Sequence, residues 1–237
     1  MRRVLSVIVA IALAVGVGGT APVMAQDASP APGFATPEEA VRAYLAGVAD
    51  ADMAQVLASA AIDEAAEGFD FVAYTERLRA WLPFISPAPA TDPFLVEMNR
   101  AQQTAQLLGQ TRMLVYSLLT TEDLEGGTVA PVDGAWARAF IDQVDLSRLA
   151  GLYVVAVMPA DAELQALQRY LDNAAKQAAT QGADELTERV AVVLFEDQGY
   201  TVGFTLLRYG DGWKVASQSS AIVATSVTGV ATRIDAP

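Results

Sequence analysis

Apolar positions in the first half of the chain recur at helical spacing, whereas in the second half they gather into short, β-branched blocks. Val41, Tyr44, Leu45 and Val48 fall on one helical face. Ahead of them Thr36-Pro37-Glu38-Glu39 supplies a capping threonine, a proline suited to a first turn and a glutamate placed to return a bond to the cap. Asp50-Ala51-Asp52 marks a break, and Asp52 is placed to cap a second short helix through Met53, Val56 and Leu57. Asp70 can cap a third, with Phe71, Tyr74 and Leu78 along one side. Residues 83–93, PFISPAPATDP, cannot be helical, because proline removes a backbone donor and biases the residue before it. A long helix is predicted from Pro93 to Leu119; its second half, from Leu107, is apolar on more than one side, the pattern of a helix buried between layers.

Residues 120–134 read as a loop, and Trp136, Phe140, Ile141 and Val144 suggest a further short helix. Leu152 to Met158 is β-branched and apolar, a strand that Pro159 ends. Residues 161–180 predict one amphipathic helix with Leu164, Leu167, Leu171 and Ala174 facing inward and Gly182 as its stop. Three strands then follow, Arg189 to Glu196, Tyr200 to Tyr209 and Trp213 to Ser220, separated by Asp197-Gln198-Gly199 and Gly210-Asp211-Gly212. Connections this short permit only an antiparallel meander. The expected class is α+β, a helical N-terminal half packed on an antiparallel sheet formed mainly by the C-terminal half. The expected organisation is one domain over 36–221, preceded by a flexible lead-in, 26–35, and followed by a small-residue tail, 222–237, that is expected to be disordered.

The first 25 residues change the picture of where the chain works. Arg2-Arg3, an apolar run from Val4 to Val17, and Val23-Met24-Ala25 predict a cleavable signal peptide with cleavage after Ala25. The apolar run is shorter than the roughly 20 residues a spanning helix needs, so an exported, extracellular or periplasmic protein without a membrane anchor is expected. The 237-residue chain carries a formal charge of −13, which becomes −15 once Arg2 and Arg3 are removed. That excess of acid argues against nucleic acid as a partner and against adsorption to anionic lipid. Cysteine and histidine are both absent. Stability must therefore come without disulfides, and a Ser-His-Asp triad, a cysteine nucleophile and an ordinary zinc site are excluded.

Each remaining candidate for chemistry has a plainer explanation. Glu122, Asp123 and Glu125 lack the alternating order of a calcium loop and read as solvated acids. Asp50 and Asp52 read as a helix stop and a helix cap. Trp213, Tyr209, Phe204 and Tyr200 can line a ligand pocket, but aromatics on neighbouring strands are more often core or cross-strand pairs. Lys214 and Ser217 form the one nucleophile–amine pair near in sequence, and their odd spacing puts them on opposite faces of a regular strand. Asp142 and Asp145 can each act as a general base, yet both suit the exposed side and end of a short helix. No catalytic, metal-binding or cofactor-binding residue is assigned, no cofactor is expected, and ligand-binding residues are left open.

Thr36-Pro-Glu-Glu-Ala-Val-Arg-Ala-Tyr-Leu, followed by Asp50-Ala-Asp, resembles the opening of the nuclear-transport-factor-two-like superfamily, and Tyr209-Gly-Asp-Gly-Trp213-Lys-Val resembles its terminal hairpin. The resemblance covers the two ends of the domain, and the helical stretch 69–143 departs from it. It implies a curved sheet closed by helices into a cone. Enzymes of that superfamily place His, Asp or Tyr inside the cone; this chain has no His, and no functional residue carries over. The expected function is thus a non-enzymatic exported module that binds a small apolar ligand or a protein partner. The alternative is an isomerase- or dehydratase-like enzyme using a buried carboxylate and a tyrosine. A third reading is surface docking through 83–94, with Phe84, Ile85 and Phe94 exposed.

Overall fold

The computed structural model describes residues 33–122, 124, 132–223 and 228–234. The expected signal peptide and most of the lead-in lie outside these residues. Eight α-helices are described: α1 Pro37–Ala49, α2 Met53–Ala58, α3 Ile62–Glu67, α4 Phe71–Leu78, α5 Pro93–Leu119, α6 Gly134–Gln143, α7 Ala162–Gln165 and α8 Gln168–Thr180. The strands are β1 Tyr153–Pro159, β2 Glu185–Phe195, β3 Gln198–Tyr209, β4 Gly212–Ser217 and β5 Thr232–Arg233. The helical half packs on a curved antiparallel sheet, as the sequence predicts. Local chemistry sets most boundaries. Thr36 and Glu39 form the capping box of α1, and Asp52, Asp70 and Asp92 cap α2, α4 and α5 through their carboxylates.

The sheet runs β1-β2-β3-β4, every neighbour antiparallel, with β5 added to the start of β3. A bulge between Thr205 and Leu206 shifts the β3–β4 register. One face of the sheet packs on α1, which touches β1, β2 and β4, and on α5; Tyr44, Leu45, Leu114, Val193, Phe195, Phe204 and Leu206 are all buried there. On the opposite face Ala174 and Ala178 of α8 meet Leu186 and Leu207. The outer edge of β4 is closed by backbone bonds from Phe34 to Trp213 and from Ser59 and Ala61 to Val215. Phe34 thus draws the end of the lead-in into the sheet.

Several expectations need correction. Ile62–Glu67 is an additional helix, and Leu146–Gly151 a 3-10 turn, neither of which has a strong periodic signature. The helix expected over 161–180 is two helices, because Leu167 is extended and Gln165 is held by the Glu188 carbonyl. Its inward stripe is Ala174 and Ala178 instead of Leu164, Leu167 and Leu171, which are exposed. Small side chains there let the helix approach the sheet closely, and Gly182 (φ +65°) lies against Gly68 so tightly that an added Cβ would sit 2.6 Å from the Gly68 carbonyl oxygen. Finally, the last strand of the hairpin ends at Ser217, and part of the expected disordered tail is ordered. Val230 and Ala231 are buried, and Thr232–Arg233 pairs with β3.

Candidate functional site

Where β4 meets the helices, a cavity of about 420 Å³ opens between α3, α5, α8 and the far face of the sheet. Its floor is Leu186 and Glu188 of β2, Thr205 and Leu207 of β3, and Val215 and Ser217 of β4. Antiparallel register puts these side by side: Leu186 is opposite Leu207, Glu188 opposite Thr205, and Thr205 opposite Ser217. Its walls carry Ala61 and Ala65 with Ile62 from one side, and Gln103 and Gln106 of α5 with Gln177 of α8 from the others. The rim includes Ile85 and Pro87 of the proline-rich loop. Amides, hydroxyls and aliphatic carbons thus share the lining, and among the described residues its only charged one is Glu188.

Glu188 is buried, and its carboxylate already has partners. It accepts from the Ser220 hydroxyl and from the Ile222 backbone N–H at 3.1 Å, which pins the chain as it leaves the sheet. Close by, the Tyr170 hydroxyl is buried without a hydrogen bond of ordinary geometry. Burial first, and the Glu188 charge second, push its pKa up to about 12. Tyr170 does not line the cavity.

A second polar constellation lies behind the cavity in the core. The Tyr44 hydroxyl bonds Thr111 at 2.7 Å and donates to Gln218 at 2.9 Å; Gln218 donates through its amide to the Gly229 carbonyl and through its backbone N–H to Gln110. Burial raises the Tyr44 pKa well above its ordinary value. Every group in this chain of bonds has a protein partner, so it joins α1, α5, the exit of β4 and the returning tail, leaving nothing for a substrate to take. A third is the ion pair of Lys214 and Glu64 at 2.5 Å, enclosed beside Tyr209. Lys214 is buried and faces Glu64, while Ser217 bonds Gln110 and Ser219, so the two residues paired in sequence are separated.

The other candidates take structural roles. Asp52 caps α2, and the Asp50 backbone N–H closes α1 on Ala46 and Val48. Asp145 accepts from the Ser147 hydroxyl and N–H, which hold its pKa below the ordinary carboxylate range. Asp142 is exposed on α6. Glu122 accepts from the Trp136 indole at 3.2 Å, whereas Asp123 and Glu125 lie outside the described residues. Tyr200 and Phe204 are core, Tyr209 donates to the Gln181 carbonyl, and Trp213 is half-buried under Arg208. None of these four lines the cavity. Among the described residues no group of three acids, histidines or cysteines is placed to hold a metal ion. Many of the residues that do line it are glutamines, serines and alanines, types whose ordinary surface roles make them indistinct in sequence.

No protein-family model matches the chain, and no curated protein matches it. A solved structure, a cystatin-like protein from Ruminococcus gnavus ATCC 29149, superposes over 87% of this chain and 43% of its own, with a TM-score of 0.52 and 16% identity. The chain therefore spans less than half the length of that protein, and the likeness is one of fold. The fold is cystatin-like, an antiparallel sheet closed by helices. Among the described residues no helix is long and apolar enough to cross a membrane.

Proposed function

We propose that this chain is an exported binding module whose cavity at the β4 edge takes a small, uncharged ligand with an apolar body. One observation carries the reading. The lining combines aliphatic floor residues with several amides and hydroxyls, and its single carboxylate is already hydrogen-bonded. An anionic ligand would meet no counter-charge there, and a cationic one would compete with bonds that hold the 220–222 segment. A volume of about 420 Å³ falls within the range of small-molecule sites. Native mass spectrometry of the protein purified from its own host should show a retained mass below that of a peptide. Ala216 is exposed at the cavity, and Ala216→Trp should remove that mass without lowering the melting temperature. A host-purified protein free of any such mass, with no thermal shift against a library of neutral metabolites, would sink the proposal.

The enzyme reading draws on one observation, a buried glutamate, Glu188, near the buried hydroxyl of a half-buried tyrosine, Tyr170. Its base would have to release Ser220 and Ile222 before it could take a proton, which favours binding over turnover. If turnover of the retained molecule is found and Glu188→Gln abolishes it, the enzyme reading replaces the first. Export is proposed on the residue pattern of 1–25, and N-terminal sequencing of the exported protein should begin at or near Gln26; an intact Met1 would refute it.

A further inference from the structure

We infer that the ligand of the β4-edge cavity is an amide: an uncharged molecule with at least one secondary amide beside an aliphatic body. The inference rests on the reading of this cavity as a small-molecule site and names the chemical class that the site takes. What selects the class is how the polar side chains of the lining are already spent.

Most of them are bonded within the protein. Asn99 accepts from the Ala88 N–H and donates to its carbonyl, and Gln102 donates to the Ile85 carbonyl. Thr205 donates to the Ser219 carbonyl, and the hydroxyls of Ser217 and Ser219 bond each other. Ser220 donates to Glu188, which also accepts from the Ile222 N–H. Four polar side chains of the lining are left over, Gln103, Gln106, Gln177 and Gln181. Among the described residues none of these four side chains has a protein partner. All four are primary carboxamides. Gln103 and Gln106 stand about one turn apart on α5, and Gln177 and Gln181 do so at the C-terminal end of α8. The polarity left for a ligand is therefore of one kind, and two helices supply it.

A carboxamide carries a carbonyl acceptor and an NH₂ donor side by side, without charge. Its match is a neutral group that also offers both. A carboxylate or a phosphate is a poor fit, because among the described residues no lysine or arginine lines the cavity. Adenine pairs with glutamine through a donor and an acceptor, but among the described residues the lining holds no aromatic ring for a base to stack on. A polyol gains nothing from the aliphatic surface of Ile62, Leu186, Leu207 and Val215. A secondary amide with an aliphatic side chain uses both halves of the site. Its carbon body covers the floor, and its N–H and C=O, costly to bury unpaired, meet the glutamines. Two sources share this chemistry. A trans peptide amide points its N–H and C=O to opposite sides, towards glutamines of different helices; a cis amide in a ring presents both to one glutamine.

Protein purified from its own host gives the first test. The retained mass should contain nitrogen and fragment at an amide bond. A retained mass free of nitrogen overturns the inference and leaves the cavity reading standing. No retained mass, with no thermal shift by neutral metabolites, defeats the cavity reading itself and the inference with it. Calorimetric titration gives the second test with three probes: N-acetyl-leucine methylamide, its ester analogue with oxygen in place of both N–H groups, and cyclo(Leu-Leu). An amide probe should bind at least tenfold more tightly than the ester, about what one or two lost hydrogen bonds cost. The tighter of the linear and cyclic probes identifies the source. Gln103→Met with Gln106→Met, at half-buried and exposed helix positions, should fold as the wild type does and bring the amide-to-ester ratio close to one. The inference is overturned if neither amide probe binds, or if the wild type binds amide and ester equally. It is also overturned if the ratio survives both this double variant and Gln177→Met with Gln181→Met.

Discussion

Lys214 and Glu64 form an enclosed ion pair whose value depends on both partners being present. The second Glu64 oxygen, Oε2, is buried without a hydrogen bond, so the pair already carries an unmet desolvation cost. Lys214→Met should therefore destabilise the fold by about 3–5 kcal/mol, because it strands a carboxylate. Adding Glu64→Leu should recover most of that loss; chemical denaturation of the single and double variants decides it, and a double variant no better than the single would show that the pair is net stabilising. One buried and two half-buried tyrosines give a pH dependence of definite sign. Tyr170, raised to about 12, and Tyr44 and Tyr209, raised by burial beyond it, all favour the neutral form in the folded state. A raised folded pKa contributes stability that is whole below the unfolded value, about 10, and is lost as pH rises through the folded one. Melting temperature should accordingly fall above that point, and ultraviolet titration should show a group of phenols ionising only with unfolding. A titration in which all phenols ionise together near their ordinary value would contradict this.

At the scale of elements, glycines separate what a helix needs from what its neighbours need. Gly109 lies within α5 with no heavy atom within 4 Å of the place a Cβ would take. Gly109→Ala should stabilise by roughly 0.5–1 kcal/mol, since alanine loses less backbone entropy in a helix. Gly182 is the opposite case, left-handed and pressed against Gly68. Gly182→Ala should cost roughly 2–4 kcal/mol, from the left-handed backbone and the overpacking together. Thermal melts of the two variants test the pair, and equal shifts would mean that Gly68 and Gly182 are not in contact in solution. Helices α1, α2, α4 and α5 are legible in sequence because each carries its cap or its opening proline locally. The inward stripe of α5 is less so: Gln110 and Ser117 are buried among its leucines because they bond the β4 exit and the returning tail, and Thr111 because it bonds Tyr44 of α1. A polar residue that is buried to meet a distant backbone group looks like a surface residue until the partner is known.

For the whole molecule, the tail is the test of how the core is closed. Residues 228–234 pass over α5, where the Ala231 N–H donates to Ser117 and Gly229 (φ +89°) lies within 2.6 Å of the Gln110 carbonyl oxygen measured from an added Cβ. Truncation after Ala221 exposes the core that Val230 and Ala231 cover and removes the Gly229 carbonyl from Gln218. A loss of about 2–4 kcal/mol is expected, from a buried apolar contact and a stranded amide. If the truncated protein melts with the full one, the tail is not part of the cooperative unit.

What the sequence determined by itself is whatever depends on near neighbours or on composition. Caps, turns and apolar periodicity define the α+β class and the antiparallel meander, because each is a contact within a few residues. The absence of histidine and cysteine excludes whole chemistries without reference to any fold. Tertiary structure decided which helix face is buried, as Ala174 and Ala178 of α8 are covered while Leu164, Leu167 and Leu171 are exposed. It also decided that residues 228–234 of a weakly patterned tail pack on the core and that glutamines from α5 and α8 meet Ser217 of β4 and the serines just after it around one cavity. These depend on groups far apart in the chain, through close packing and the pairing of buried polar atoms. Such partners are chosen by geometry that no local pattern encodes.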